Sequence, residues 1–363
     1  MQKIKLLRIG NFPTELHRTT GFHAYKLNFS DALTVFQISD KLEGNPLPLP
    51  DGMELKRTKL HWRKRTDRAS VDMVTRFIFR LIGAIWFNFK CIYFSIGKQL
   101  EAVHLHSPIY ILVGLFWKIF GKKIYITYHG ADYHRILNSK LYSMVSCIFN
   151  GVFTLSPDQL DGLQKKHKCK VVLVKNGVDM AVYEDRGLDR EKIILNVAAF
   201  KDQKNQNKIL EAFSLSKIFK DDYRLVFVGD GELKQEAMLY CEELNIKEHV
   251  DFKGRLQAEL VIEEYNKAEV FILASKWEGN AKVLLEAMSC GCKILTTKVD
   301  SAEAILGEDY PYYIPVSDEV KMSDGIIKII EEKSYQFEKI KQICTLNQWD
   351  GIDVPYKKIY LND

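Results

Sequence analysis

The feature that most constrains this chain is a rhythm that runs twice. Short β-branched runs alternate with helical patterns. In the first half the strand-like runs are KIKLLRIG (3–10), TVFQIS (34–39), AVHLHS (102–107), KIYITYH (123–129), GVFTLS (151–156) and KVVLVKN (170–176). A polar, turn-rich stretch, NGVDMAVYEDRGLDRE (176–191), interrupts them. The rhythm then restarts with KIILNVAAF (192–200), YRLVFVGDG (223–231), HVDFKG (249–254), EVFILAS (269–275) and CKILTTK (292–298). Strands that alternate with helices form parallel sheets covered on both faces. The expectation is two doubly wound α/β domains: residues 1–178, a linker at 179–190, a second domain at 191–347, and a C-terminal segment at 348–363. A chain of 363 residues is long enough for two cores. In such sheets ligands sit outside the carboxyl ends of the strands, which points to a central cleft between the domains.

Several classes are excluded early. The seven cysteines are scattered and contain no CxxC spacing, which suits reduced thiols in a cytosolic protein better than disulfides or a metal site. MQKIKLLRIGNF reads as a first strand rather than a signal peptide. The most apolar stretch, RFIFRLIGAIWFNFKCIYF, is broken by Arg80, Asn88 and Lys90. It falls short of the roughly 18 apolar residues a membrane span needs.

The motifs gather at strand ends. EVFILAS is followed by a short loop, SKWEGN, and a helix expected from about Ala281. The first turn of a helix offers unpaired amides and a positive dipole end, which suit a diphosphate. Gly279 lets backbone approach a ligand. Glu286 stands about 7 Å further along the helix, at about 1.5 Å per residue. A carboxylate there can accept from two ribose hydroxyls at once. Glu278 faces the other side of the diphosphate. Taken alone, such a pair of glutamates is ordinary solvated charge; its neighbours give it weight. VFVGDGEL ends a strand in Gly229–Asp230–Gly231, a turn that permits close backbone approach. KDQKNQNKILEAF puts Lys201 and Lys204 at another strand end, and KIYITYHGAD does the same for His129 in the other domain.

Together these pieces resemble the retaining glycosyltransferases of the GT-B fold, family 4-like, which include sucrose synthases and bacterial mannosyltransferases. HLHSP (104–108), TYHGAD (127–132), FTLSPDQLDGL (153–163), VKNGVD (174–179), VFVGDGEL, VDFKG and EGNAKVLLEAMSCGC (278–292) fall in that family's order over nearly the whole chain. The last carries the family's pair of glutamates separated by seven residues. The resemblance implies that Glu286 holds the ribose of a nucleotide-sugar and that Glu278 contacts the donor sugar. It implies that the amides of Gly279, Asn280, Ala281, Lys282 and Val283 approach the diphosphate or sugar. Lys204, with Lys201 nearby, neutralises the leaving diphosphate, Arg255 and Leu256 edge the base, and His129 bonds the donor sugar from the other domain. The donor is then a UDP- or GDP-sugar, no metal or other cofactor is expected, and the catalytic residues are His129 and Glu278. In this fold the last helix commonly crosses back to the first domain. Two departures stand out: Ala199 occupies the position where the family usually has an arginine, and the loop TELHRTTGFH has one glycine, Gly21, where many members have a pair.

Charge is divided unevenly. Residues 1–180 carry 27 Lys and Arg against 13 acids, a net +14, while residues 181–363 carry 25 against 34, a net −9. KRTKLHWRKRTDR (56–68) precedes an aromatic-rich stretch that runs to Phe94, a pairing that suits an anionic bilayer surface. No nucleic-acid motif is present. The reading is a cytoplasmic enzyme, peripheral on the inner face of the cell membrane. It moves a sugar to a glycan acceptor, lipid-linked, in bacterial surface polysaccharide synthesis (O-antigen, capsule or exopolysaccharide). A nucleotide-sugar 2-epimerase of the same fold and a catalytically weak nucleotide-binding relative are the rival readings.

Overall fold

The computed structural model describes residues 3–10, 33–40, 45–46, 48–58, 73–129, 144, 146–155, 159–174, 177–279, 281–348 and 354–360. Gly21, Gly130, Asn280 and most of the basic stretch, 59–68, lie outside these described residues. The chain divides into two compact units: residues 1–174 with 352–363, and residues 175–351.

The first unit holds a seven-stranded sheet in the order β3-β2-β1-β4-β5-β6-β7. Its strands are β1 Ile4–Ile9, β2 Leu33–Asp40, β3 Met53–Thr58, β4 Ala102–Leu105, β5 Lys123–Tyr128, β6 Gly151–Thr154 and β7 Lys170–Leu173. All neighbours pair in parallel. The central strands are largely apolar because both sheet faces are covered: Leu7, Ile9, Val103, Leu105, Ile124 and Ile126 join one core, with Arg8, His104 and Thr127 buried among them. One strand departs from the sequence reading. MELKRT, whose last three residues open the basic stretch 56–68, pairs with β2 so that Ile38 faces Lys56 and Ser39 faces Arg57. It is an edge strand with Glu54 and Lys56 exposed. Edge strands tolerate charge, which hides them among loop-like residues.

The second unit repeats the plan with β8 Glu191–Val197, β9 Arg224–Val228, β10 Val250–Gly254, β11 Ala268–Leu273, β12 Lys293–Thr297 and β13 Tyr313–Ile314. Their order is β10-β9-β8-β11-β12-β13, again all parallel. This unit has its own core, from Val178 to Cys344. Segment 179–190 is clamped to this unit rather than free. The Arg190 guanidinium donates to the carbonyls of Tyr265 (2.9 Å), Asn266 (3.0 Å) and Cys290 (2.6 Å) and pairs with Asp185 (2.7 Å). The Arg186 amide donates to the Asn266 side chain at 2.8 Å.

In each sheet the strand order reverses beside the first strand, at β1/β4 and at β8/β11. Such a switch point leaves two loops diverging at the carboxyl ends, which makes a crevice. In the second unit the loops after β8 and β11 are therefore where a ligand belongs.

Candidate active site

The switch point of the second sheet brings together residues far apart in sequence. The loop after β8 carries Lys201 and Lys204, and the loop after β11 carries Ser275 and Glu278. The Lys204 Nζ makes an ion pair with Glu278 Oε1, and the Ser275 hydroxyl donates to the same oxygen at 2.6 Å. The Glu278 side chain is only 6% exposed. A buried carboxylate persists when it is paired and hydrogen-bonded, and here both conditions hold. Thr297, at the end of β12, donates its hydroxyl to the Ser275 carbonyl at 2.7 Å and so fixes the loop from the far side.

The two loops are also tied by backbone. The Lys276 amide donates to the Gln203 carbonyl at 2.9 Å, and the Gln203 side chain donates to the Trp277 carbonyl at 2.7 Å. Asn205 takes φ +58°, in the left-handed region that asparagine tolerates. From there its side chain donates to the carbonyls of Ala274 (3.2 Å) and Val316 (2.9 Å).

The helix after the loop spans Lys282–Ser289, with Ala281 at its N-cap and no side chain capping it. Glu286 is the fifth residue of this helix and is buried. The fully buried Tyr265 donates its hydroxyl to Glu286 Oε2 at 3.2 Å. Burial pushes the Glu286 carboxyl above its ordinary value, while the Lys282 ammonium and the hydroxyls of Tyr265 and Tyr183 oppose that rise. Burial also lowers the Lys282 ammonium, and Glu286 opposes it. Val283 packs against the core of this unit.

The Gly229–Asp230–Gly231 turn packs closely against the loop after β8. Gly229 has φ +145°, and a Cβ there would lie 1.9 Å from the Ala198 carbonyl oxygen. A Cβ on Gly231 would lie 2.3 Å from the Phe200 carbonyl oxygen. The close backbone approach is thus made by the loop after β8. The Phe200 amide donates to the Asp230 carbonyl at 3.1 Å, and the Gly229 amide to the Gly254 carbonyl at 2.8 Å. These bonds join the strand-end loops of β8, β9 and β10. Lys201, Asp230 and Arg255 are exposed along this edge, as is Ala199, and Leu256 is half-buried against the core.

In the first unit, His129 follows β5 and is half-buried. Its ring lies 6.0 Å from that of His106, which stacks on His104 at 4.4 Å. His106 is anchored at that sheet's own switch point, where its amide donates to the Ile9 carbonyl at 2.9 Å. Among the described residues no group of three or more His, Cys, Asp or Glu is placed to hold a metal ion.

Sequence reasoning missed Ser275, Thr297, Asn205 and Tyr265. Ser275 had a signal, since it is the last residue of EVFILAS. Tyr265 had none, because its partner lies 21 residues away across a strand and a loop.

Residues 184–343 match the family model described as Glycosyl transferases group 1. A Campylobacter jejuni enzyme, N-acetylgalactosamine-N,N'-diacetylbacillosaminyl-diphospho-undecaprenol 4-alpha-N-acetylgalactosaminyltransferase, is 26% identical over 66% of this chain and 68% of its own length. N-acetyl-alpha-D-glucosaminyl L-malate synthase of Bacillus anthracis is 27% identical over 65% of this chain and 67% of its own. Sucrose-phosphate synthase from Thermosynechococcus elongatus shares the fold with a TM-score of 0.77 and 16% identity, over 99% of both chains. HepE from Anabaena, solved with UDP and glucose, has a TM-score of 0.71 and 12% identity, over 99% of this chain and 100% of its own. The chain is a glycosyltransferase built on the GT-B fold, and its residues 184–343 are the part that matches group 1.

Proposed function

We propose that the enzyme moves a sugar, with retention of anomeric configuration, from a UDP- or GDP-sugar to a lipid-linked glycan acceptor. Its setting is bacterial surface polysaccharide synthesis at the inner face of the cell membrane, which it meets through residues 56–94. The carrying observation is the Lys204–Glu278–Ser275 cluster at the switch point, with its buried carboxylate, followed by the helix whose fifth residue is the buried Glu286. The Campylobacter relative, named for its transfer to a diphospho-undecaprenol glycan, supports the choice of acceptor.

In this reading the donor's diphosphate sits on the amides from Gly279 to Val283, and Glu286 accepts from the ribose hydroxyls. The anomeric C–O bond breaks with its electrons on the phosphate oxygen. Lys204 and the helix amides stabilise that charge without a metal, while Glu278 and His129 hold the sugar hydroxyls. The acceptor hydroxyl attacks from the leaving group's own face, and its proton passes to the departing phosphate oxygen. No covalent nucleophile is assigned.

The test has two parts. Thermal shifts with UDP, GDP and ADP identify the base: at about 100 times the dissociation constant, the ligand stabilises by about 2.7 kcal/mol. Glu286→Ala removes that shift. Transfer to a diphospho-polyprenyl glycan, with the product's anomeric configuration read by NMR, then tests acceptor and retention. An inverted product, or release of an epimerised free sugar, overturns the reading.

A further inference from the structure

The helix Met73–Ser95 is apolar on faces that a folded unit does not need. One side carries Ala84, Phe87 and Cys91 into the first core. The opposite side carries Ile82, Trp86, Phe89 and Tyr93, spaced at three and four residues as one helical stripe. Trp86 is 57% exposed, Phe89 58% and Tyr93 73%. The neighbouring helix, Ile111–Ile119, adds the exposed Leu112 and Ile119, with Phe120 just after it. The two helices are held in register. Asn88 donates to the Ile109 carbonyl at 2.8 Å and accepts from the Val113 amide at 3.3 Å, and Trp117 donates to the Ser95 hydroxyl at 3.1 Å. The result is a pair of packed helices that leaves a stripe of large apolar side chains uncovered.

Its charge says what can cover it. No Asp or Glu occurs from Met73 to Leu100, and residues 53–100 hold eleven Lys and Arg against three acids. Lys90 lies over the Trp86 ring at 5.8 Å and Lys56 over the Phe94 ring at 4.6 Å. A second copy of the chain would set these lysines against their own like charges. An anionic bilayer offers opposite charge to the lysines and hydrocarbon to the apolar stripe. Trp and Tyr with flanking Lys are the residue types that settle at that boundary. Among the described residues no helix is long and apolar enough to cross a membrane, and the inner face of this one is held in the core. The helix therefore lies along a bilayer rather than through it.

We propose that the outer face of helix Met73–Ser95, extended by helix Ile111–Ile119, inserts its apolar stripe into the interfacial layer of an anionic membrane. This deepens the lipid-linked reading above by naming the contact and making it hydrophobic at its centre. Flotation of the full-length protein with phosphatidylcholine–phosphatidylglycerol vesicles that contain no acceptor tests it. Binding is expected at low salt and again at about 1 M NaCl, where screening cuts the Debye length to about 3 Å. Trp86→Glu and Phe89→Glu each lower the partition coefficient by about tenfold or more, the worth of one large buried side chain, and leave the nucleotide-induced thermal shift in place. Trp86→Ala and Phe89→Ala, which add no charge, lower it by a smaller factor. Three outcomes overturn the proposal: no flotation, complete release at high salt, or substitutions that dissociate a dimer and leave flotation unchanged. The two readings fail separately. A soluble or differently linked acceptor leaves flotation intact, and lost flotation leaves transfer to a short-chain acceptor intact.

Discussion

Glu278 and Glu286 are eight positions apart and meet opposite surroundings. Glu278 has a lysine and a serine hydroxyl on one oxygen, whereas Glu286 sits among tyrosines in a buried helix that raises its affinity for a proton. If Glu286 holds the ribose, Tyr265 acts on it as a positioning residue. Tyr265→Phe should then raise the donor KM about tenfold or more, the loss of one hydrogen bond to a charged group, with kcat changed little. An equal fall in kcat and kcat/KM would contradict that role. A native pKa above the unfolded value means that the folded state binds more protons, so this group's contribution to stability falls as pH rises past the ordinary glutamate value. Glu286→Gln should remove that fall in melting curves taken from pH 4 to 7. His167 has the opposite sign. Burial is the main cause that lowers its pKa from 6.5 to about 4, so the unfolded state binds more protons in that interval. Stability is full above pH 6.5 and is lost as pH falls toward 4. The difference is on the order of 3 kcal/mol. His167→Gln, which can keep the bond to the Tyr128 hydroxyl (3.1 Å in the wild type), should flatten the acid limb of chemical unfolding. An unchanged limb would assign the acid loss to other groups.

At the scale of elements, the cradle depends on loops that other strands hold. Ser275→Ala leaves Glu278 with Lys204 as its partner at that oxygen. The transfer rate should fall about tenfold or more with the fold intact, as for a lost positioning bond at a charged group. Gly229→Ala forces a Cβ onto the Ala198 carbonyl. It should destabilise by about 2 kcal/mol or more, visible as a lower melting temperature of the second unit. A wild-type melting temperature would show that the turn can shift away. These elements also mark how far the sequence could be read. The buried parallel strands were legible because both faces are covered, so their residues are continuous apolar runs such as FILAS. The edge strand β3 was not, because its charges imitate a loop, and β13, with two residues, lies below any periodic signal. The glutamates were legible from their spacing to a helix start, and the glycine turn from its composition. The packing of that turn against Ala198 was not, since the contact joins separate strands. The same holds for Lys204 and Glu278, 74 residues apart, whose pairing follows from sheet order rather than from local pattern.

At the scale of the whole molecule, the first unit is completed by the far end of the chain. Helix Val354–Tyr360 belongs to it, and Tyr356 and Tyr360 are both buried there. Tyr356 stacks on Phe153 with ring centroids 4.1 Å apart, and Tyr360 meets Tyr125 edge-on at 4.9 Å. The Tyr360 hydroxyl pairs with His104 Nδ1, while His104 Nε2 meets the Thr127 hydroxyl at 2.8 Å. His104 in turn stacks on His106, so the terminal helix braces the row of rings that ends at His129. Arg8 is buried among the same groups. Burial lowers its pKa, and the two tyrosines oppose that effect. Ending the chain at residue 353 removes both rings at once. A buried aromatic is worth about 3–5 kcal/mol, so the loss is about 6–10 kcal/mol, comparable to the entire stability of an ordinary domain. It also opens Arg8 and His104 to water. The shortened chain should lose the cooperative melting of the first unit and keep that of the second, whose core runs from Val178 to Cys344. Its nucleotide-induced thermal shift should survive while transfer disappears. Tyr360→Phe keeps the ring and loses only the hydroxyl, so it should cost about 1–3 kcal/mol and leave both transitions in place. If the truncated chain melts as the full chain does, the terminal helix is a dispensable cover. If both transitions vanish together, the two units do not fold independently, and stability measured on one of them carries information about the other.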